Sequence, residues 1–483
     1  MLGLVALIRW RLLRNNPYPT GLDGGNWLAF GHAIFGEHLR SPTLHYPPVI
    51  PVAAVISERL LGTYHGVEAL AFFAAAAPAT GAYVLMYSWG FRWRAALLAT
   101  LLGVSASTGE AMAWGGYPQL IGLGVLPLFV VALDRFLGSR SLLAAIAPAA
   151  LLLLALATNE FIGPLTALIG LVYLIARLAL LTKVRRQPIR NVLLGFGLTF
   201  VIALPLAPLY LGLVAGIVLN ERQKAGALPA IQSAAIGFSA ATQDLPTFWL
   251  VGIVLAFLAP VALIAKLHRF ALLSVAMLLP TVALLVTTGE IRLAYVIPMG
   301  IVFGLAAWWE LAQKLPSWSQ RSINAALVTC LVIDVVVGTQ VFTVQRDYYT
   351  VLTPGVVQGL NEIENRTTAT ELIAVSPAAH GWPLGWWVEG AAHRRTIYAG
   401  DPVWLNYRDE QARNALANSI FGADKTPKDS ALQAHSVGAA YLFVDKNWDG
   451  YPGWIGGGQN LEPGSLVYEN SSIMIIDTRL GAT

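Results

Sequence analysis

Charged side chains are scarce in this chain. Only 12% of its 483 residues are Asp, Glu, Lys or Arg, whereas 56% are hydrophobic, and mean hydropathy is +0.60. Ordinary soluble domains are about 25% charged, so most of this chain is solvated by lipid. A soluble core would alternate apolar with polar faces, yet long stretches here are apolar all round. Cysteine is nearly absent too. Cys330 stands alone inside an apolar run, which excludes an internal disulfide, a thiol pair or a thiolate metal cluster. It reads as a small buried apolar residue. Also missing are a phosphate-cradling Gly-Lys-Ser/Thr loop, a Cys-x-x-Cys pair, two histidines at the helical spacing of a zinc site and a Gly-x-Ser-x-Gly elbow. These absences argue against an ATP-driven pump and a serine hydrolase.

The few charges sort by turn. Basic clusters at Arg92/Arg94, Arg135/Arg140, Lys183/Arg185/Arg186/Arg190, Lys266/Arg269 and Lys314/Arg321 alternate with Glu110, Asn159/Glu160, Glu221/Arg222 and Glu290/Arg292. Cytoplasmic loops keep an excess of Lys and Arg, so the basic set marks the inside. The acidic set, with Asp23, then faces outside. The net charge of +4 and pI of about 9.1 reflect this orientation, and no nucleic-acid partner is expected.

A span needs roughly 20 apolar residues. That ruler places spans near 66–88, 95–109, 118–133, 141–158, 161–182, 191–214, 247–265, 270–288, 293–313 and 322–345. Residues 1–13 are apolar but short, with Arg9, Arg11 and Arg14 among or after them. They read as an eleventh helix, N-terminus inside, whose first half is missing or lies upstream of Met1. A transmembrane domain over 1–345 thus carries a long outer loop at 15–65, rich in Pro, Gly and aromatics. Residues 346–483 hold no run long enough to span. Short β-like runs at Glu371–Ser376, Ala439–Asp445 and Ser465–Asp477, with helical stretches at Leu405–Phe421 and Thr426–His435, predict an extracytoplasmic α/β domain. The expected fold class is a polytopic α-helical membrane protein of about 10–11 spans with that domain at its C-terminus. Its place is the cell membrane.

Several polar residues stand out against this background. Asp23 lies in Pro17-Tyr-Pro-Thr-Gly-Leu-Asp-Gly-Gly-Asn-Trp27, where Gly24 and Gly25 bare the backbone for a bulky ligand. Its carboxylate would take a proton from an attacking hydroxyl or hold a metal ion; the plain alternative is an Asp-Gly turn. His45-Tyr46-Pro47-Pro48 imposes an extended chain that either frames a cavity mouth or returns the loop to the membrane. Glu110 and Asn159/Glu160 sit in tight outer turns, where an ionised group at membrane depth costs about 2.5–3.5 kcal/mol and needs a partner or water. Glu290 and Arg292 bracket Ile291, able to pair with each other or with a phosphate. Arg222 and Lys224 are further phosphate candidates, because guanidinium matches phosphate oxygens. Taken singly, each of these charges has snorkelling to the interface as its commoner explanation. Trp382, Trp386, Trp387, Trp404, Trp448 and Trp454 load the last region with rings that stack on sugars, anchor at interfaces or fill a core. Asn365-Arg-Thr367 and Asn470-Ser-Ser472 match the glycosylation sequon.

With those residues in view, the chain resembles the integral-membrane glycosyltransferases of the GT-C fold, which use polyprenyl-phosphate sugars. The likeness rests on Asp23 in the first outer loop, Tyr46-Pro47-Pro48 ahead of the next span, Glu110 with Trp114-Gly-Gly-Tyr117, and the outer α/β domain. Gly381-Trp382-Pro383, Trp387-Val-Glu389 and Tyr441-Leu-Phe-Val-Asp-Lys446 also resemble tail domains of that family. The resemblance implies sugar transfer to an acceptor hydroxyl on a lipid, glycan or protein, with Asp23 as general base. Arg292, Arg222 or Lys224 would meet the departing phosphate, and Glu110 and Glu160 would position sugar or acceptor. His45, Tyr46, Tyr117, Asn159 and Glu290 complete the expected substrate-binding set, and the prenyl tail would lie between helices in membrane lipid. Asp23 is followed by Gly24-Gly25, so the Asp-x-Asp pair of metal-using members is missing. No cofactor is expected, with a divalent metal left open. The competing readings are a non-catalytic envelope scaffold and a secondary transporter, whose ionisable groups would sit at mid-membrane in inverted repeats.

Overall fold

A computed structural model of the chain describes residues 3–5, 8, 17–37, 46–139, 141–180, 193–195, 197–199, 201, 204–210, 269–288, 291–313, 316–402, 405, 408–422, 424–456 and 461–480. The stretch expected to be an open outer loop at 15–65 instead carries two helices, Asp23–Ile34 (α1) and Val49–Leu61 (α2). Packing overrides the Gly- and Pro-rich composition there. Trp27, Leu28, Phe30, Ile50 and Ala54 are buried, and Gly31 lets the helices touch: a Cβ on it would sit 2.3 Å from the Pro51 carbonyl oxygen. Pro47-Pro48 does not hold an extended strap. Pro48 takes helical angles (φ −79°, ψ −15°) and starts α2, as its fixed φ allows.

The bundle follows: Thr63–Ser88 (α3), Arg92–Val104 (α4), Ala106–Trp114 (α5), Tyr117–Gly138 (α6), Ile146–Thr158 (α7), Ile162–Leu180 (α8), Arg269–Thr288 (α9), Ile297–Ala312 (α10) and Ser317–Tyr349 (α11). Small residues bring α3 and α6 into close contact. A Cβ on Gly81 would lie 2.1 Å from the Gly124 carbonyl oxygen, and one on Gly124 would strike Ala77. Close backbone approach of this kind is how helices associate in lipid, where burial alone drives nothing. Along α11, Val328, Val332, Ile333, Val336 and Val344 lie exposed, a face that suits lipid and not water.

The span expected near 95–109 is broken. Ser105 leaves helical angles and caps α5 by accepting from the Thr108 amide, and the two limbs meet at 41°. Glu110 therefore lies on a short helix, not in a turn. Of the remaining expected spans, those from 66 to 182 and from 270 to 345 coincide with helices. The one near 247–265 lies outside the described residues, and that near 191–214 is described only in pieces. Among the described residues three helices are long and apolar enough to cross a membrane, or five if each bent pair is one span. The expected ten or eleven spans are not reached on these residues.

Beyond α11 come Pro354–Arg366 (α12), Gly385–Ala391 (α13), Arg408–Ile420 (α14), Pro427–Ser436 (α15) and Tyr451–Gly456 (α16). They surround a five-stranded sheet of order β2-β1-β3-β5-β4, formed by Leu372–Val375 (β1), Arg395–Tyr398 (β2), Ala439–Asp445 (β3), Leu466–Glu469 (β4) and Ile473–Asp477 (β5). β1 pairs in parallel with β2 and β3, whereas β5 runs antiparallel to β3 and β4. Among the strands, only β2 escaped the sequence reading. Alternation divides the strands between two cores, as the pleat requires. Val375, Tyr441, Phe443, Ile473 and Ile475 share one core with Trp27, Tyr46, Ala74 and Tyr117, so that core runs unbroken from bundle to sheet. Ala374, Leu442, Val444, Met474 and Ile476 pack under α14 and α15 on the far side. Trp382, Trp386, Trp387 and Trp454 are buried and Trp448 packs on the far core, so packing explains them; Trp404 lies outside the described residues. Asn470 is a structural turn residue: its amide donates to the Gly355 carbonyl at 2.8 Å and its oxygen accepts from the Ser472 and Ile473 amides.

Candidate active site

Asp23 is the first residue of α1, and glycines on both sides decide where it stands. Gly21 and Gly115 both adopt φ of +97°. A Cβ on Gly21 would lie 2.6 Å from the Trp114 carbonyl carbon, and one on Gly115 would lie 2.9 Å from Asp23 Cβ. The Trp27 indole clamps this crossing by donating to the Gly115 carbonyl at 2.8 Å. Asp23 is thereby pressed against the turn between α5 and α6. Gly24 and Gly25 do not clear space for a ligand. They admit α13, since a Cβ on Gly24 would meet the Trp387 ring at 2.9 Å and one on Gly25 the Trp386 carbonyl oxygen at 2.6 Å. Trp387 closes the contact by donating from its indole to the Gly21 carbonyl at 3.3 Å.

The short turn between α7 and α8 supplies the next groups. Asn159 caps α8, its side-chain oxygen accepting from the Phe161 amide at 3.0 Å and the Ile162 amide at 2.7 Å. Its amide nitrogen donates to the Tyr46 hydroxyl at 3.2 Å, which ties the segment before α2 to the bundle. Glu160 is buried and accepts from Arg292 Nη1 at 3.3 Å, while the guanidinium lies 4.3 Å from the Phe161 ring centroid. On the broken span, Glu110 shares a hydrogen bond with Tyr295, and the Trp114 indole donates to the Tyr295 hydroxyl at 3.0 Å. Tyr117, at the start of α6, donates to the Thr20 carbonyl at 3.4 Å.

Electrostatics join these pieces into one cluster. Burial holds the Asp23 carboxyl well above the usual carboxylate range; Arg292 opposes the shift, and Glu160 and Glu410 add to it. Part of its area is still exposed, but protein surrounds it in depth, and depth is what removes solvation. The Tyr46 phenol is likewise pushed well up, by burial first and then by Glu160, so it serves as a neutral hydrogen-bonding group. Perturbed carboxyls of this kind cluster at functional sites, which makes Asp23 a candidate and not an assigned acid or base.

This geometry can be set beside solved structures. ArnT from Cupriavidus metallidurans in the apo state matches over 99% of this chain and 97% of its own, at 14% identity and a TM-score of 0.55. The same protein bound to undecaprenyl phosphate matches over the same shares with a TM-score of 0.54. The chain has an ArnT-like fold. ArnT is a GT-C glycosyltransferase, and at this identity the likeness is one of fold. No protein-family profile matches the chain, and no curated protein matches it either.

On the ArnT-like scaffold, Asp23, Tyr46, Asn159, Glu160 and Arg292 come together, with Tyr117 within electrostatic reach of Asp23 and Glu110 on the adjoining limb. His45, Arg222, Lys224 and Glu290 lie outside the described residues. The sequence reading missed Tyr295, which bridges Glu110 to Trp114, and Phe161, which supports Arg292. Both sit beside charged residues already singled out, and aromatic rings next to membrane-face charges were the available signal. It also missed Glu410 of α14, a buried carboxylate that acts on Asp23 from the C-terminal region. Nothing in the local sequence around Glu410 marks it.

Proposed function

We propose that the chain transfers a sugar from a polyprenyl-phosphate donor to an acceptor hydroxyl at the outer membrane face, with Asp23 as general base. The observation that carries this reading is a buried, upward-shifted carboxyl beside the Glu160–Arg292 pair in an ArnT-like fold. The solved complex of ArnT with undecaprenyl phosphate supports a polyprenyl-linked donor. In the step, the acceptor oxygen attacks the anomeric carbon while Asp23 removes its proton. The bond from that carbon to the phosphate oxygen breaks, and the phosphate leaves with the electron pair. It already carries negative charge, so no strong general acid is needed. Arg292 meets the growing charge, best done by a fixed cation held in place before reaction. Arg222 and Lys224 are proposed to assist it, and Glu110 and Glu160 to orient sugar or acceptor. Every step here is routed through these side chains, with no metal required. The C-terminal sheet region lies, on this reading, outside the cytoplasm. The test is turnover of polyprenyl-phosphate sugar in proteoliposomes by Asp23→Asn. Loss of general-base catalysis predicts a fall of about 10²–10⁴-fold; undiminished turnover would remove Asp23 from the mechanism.

A further inference from the structure

Away from Asp23, at the far end of α1, four titratable side chains from three parts of the chain converge. His32 lies in the last turn of α1, Glu37 just beyond it, Glu58 in the last turn of α2, and His393 between α13 and β2. Donor atoms on His32, Glu58 and His393 all lie within 4.8 Å of one another, and the two imidazoles meet edge to face at 4.4 Å. The arrangement is paired. Both Nε2 atoms face Glu58, at 2.8 Å from His32 and 3.9 Å from His393, and both Nδ1 atoms face Glu37, at 2.9 and 3.6 Å.

His32 is 3% exposed, yet neither ring nitrogen makes a well-aligned hydrogen bond, and the buried Glu58 Oε2 makes none. A neutral imidazole has one N–H to give, so it cannot satisfy carboxylates at both nitrogens. A cation at Nε2 resolves this. His32 Nδ1–H then donates to Glu37, in the carboxylate–histidine–metal relay that fixes tautomer and ring orientation, and the Nε2 lone pair is free to ligate. Backbone geometry holds the third ligand. His393 has a left-handed φ of +52°, and Arg394 pins that turn by donating to the Ala392 and His393 carbonyls at 3.0 and 3.1 Å and to Thr367 Oγ1 at 2.7 Å.

We propose that His32, Glu58 and His393 bind one divalent transition-metal ion of the zinc class, with Glu37 orienting both imidazoles. Two imidazoles and a carboxylate are a borderline-soft N/O set, which suits Zn²⁺ and disfavours Mg²⁺ or Ca²⁺. The ion sits about 14 Å along α1 from Asp23, nine residues at the helical rise. It is therefore a clamp fastening both early helices to the C-terminal region and does not touch the reacting atoms. The partly exposed sides of His393 and Glu37 give the ion its way in.

The experiment titrates Co²⁺ into the full chain, purified in detergent and stripped by a chelator. Visible absorption bands saturating at one ion per chain are expected, with X-ray absorption reporting two imidazole ligands. His32→Ala and His393→Ala should weaken affinity by about 100-fold or more, and Glu37→Gln by about 10–100-fold, the range for an orienting partner. His65→Ala, an exposed histidine on α3, should leave it unchanged. The wild-type spectrum and stoichiometry need no variant, so misfolded variants do not blunt the test. Absence of bound ion in the wild type would leave His32 as an imidazolium between two carboxylates and overturn the proposal. Binding that is equally tight in both histidine variants would do the same.

Discussion

The two ends of the bundle hold charge in different ways. At one end Asp134 accepts from Arg177 at 2.8 Å and lies 3.3 Å from Arg269, and Tyr173 donates to the same carboxylate. Two arginines there enclose one carboxylate. At the other end the ratio reverses. Asp23, Glu160 and Glu410 act around Arg292. Both ends are reached by α6, whose 22 residues put them about 33 Å apart. Surplus cation over carboxylate at one end costs little, because Arg269 is half exposed to solvent while Arg177 is buried against Asp134. At the second end burial raises the Asp23 pKa and the surplus carboxylates Glu160 and Glu410 add to the shift. Exposure explains the first end; on the proposed function, chemistry explains the second.

The comparison breaks most readily at Arg292. Arg292→Ala removes the described cation from Glu160, 2% exposed, and breaking a buried ion pair costs about 3–5 kcal/mol. Stability by denaturant titration and turnover should both fall, and Glu160→Gln in the same chain should restore much of the stability but not the turnover. A smaller effect is expected where the acidic end meets α13. Gly25→Ala drives a Cβ into the Trp386 carbonyl, and overpacking of this kind costs about 1–3 kcal/mol. Turnover should drop with it, because Asp23 sits two residues earlier. The smallest effect belongs to the basic end. Arg269 is about half exposed, so Arg269→Ala should cost no more than about 1 kcal/mol and leave turnover unchanged. A large loss of activity there would erase the distinction between the ends.

What the sequence disclosed follows from what lipid penalises. Charges are costly at membrane depth, so Glu110 and Glu160 stood out, while Asp23 stood out by its Pro- and Gly-rich setting and Arg292 by its tight turn; the structure gathers all four at one end. Apolar length likewise disclosed most helices, and short β-like runs disclosed every strand but β2. The failures have a shared cause. α1 and α2 are dictated by packing against α13 and the bundle top, which local composition cannot express, so a Gly- and Pro-rich stretch read as loop. Gly24 and Gly25 were read as room for a ligand because a bare backbone does not say what approaches it; Trp386 and Trp387 do. Glu410 and the His32–Glu58–His393 cluster were hidden because their members come from distant parts of the chain.

The pH dependence of kcat/KM tests the account most directly. A base must be deprotonated to act, so activity should be lost as pH falls through the Asp23 pKa, which burial raises well above the ordinary carboxylate range. The same shift has the opposite sign for stability: the folded state holds the proton longer, so its stability declines as pH rises from the unfolded value toward the raised one. Asp23→Asn should therefore be the more stable protein at neutral pH, and its residual turnover should lack the acidic limb. An acidic limb that survives in Asp23→Asn, or that lies at an ordinary carboxylate pKa in the wild type, would contradict the account.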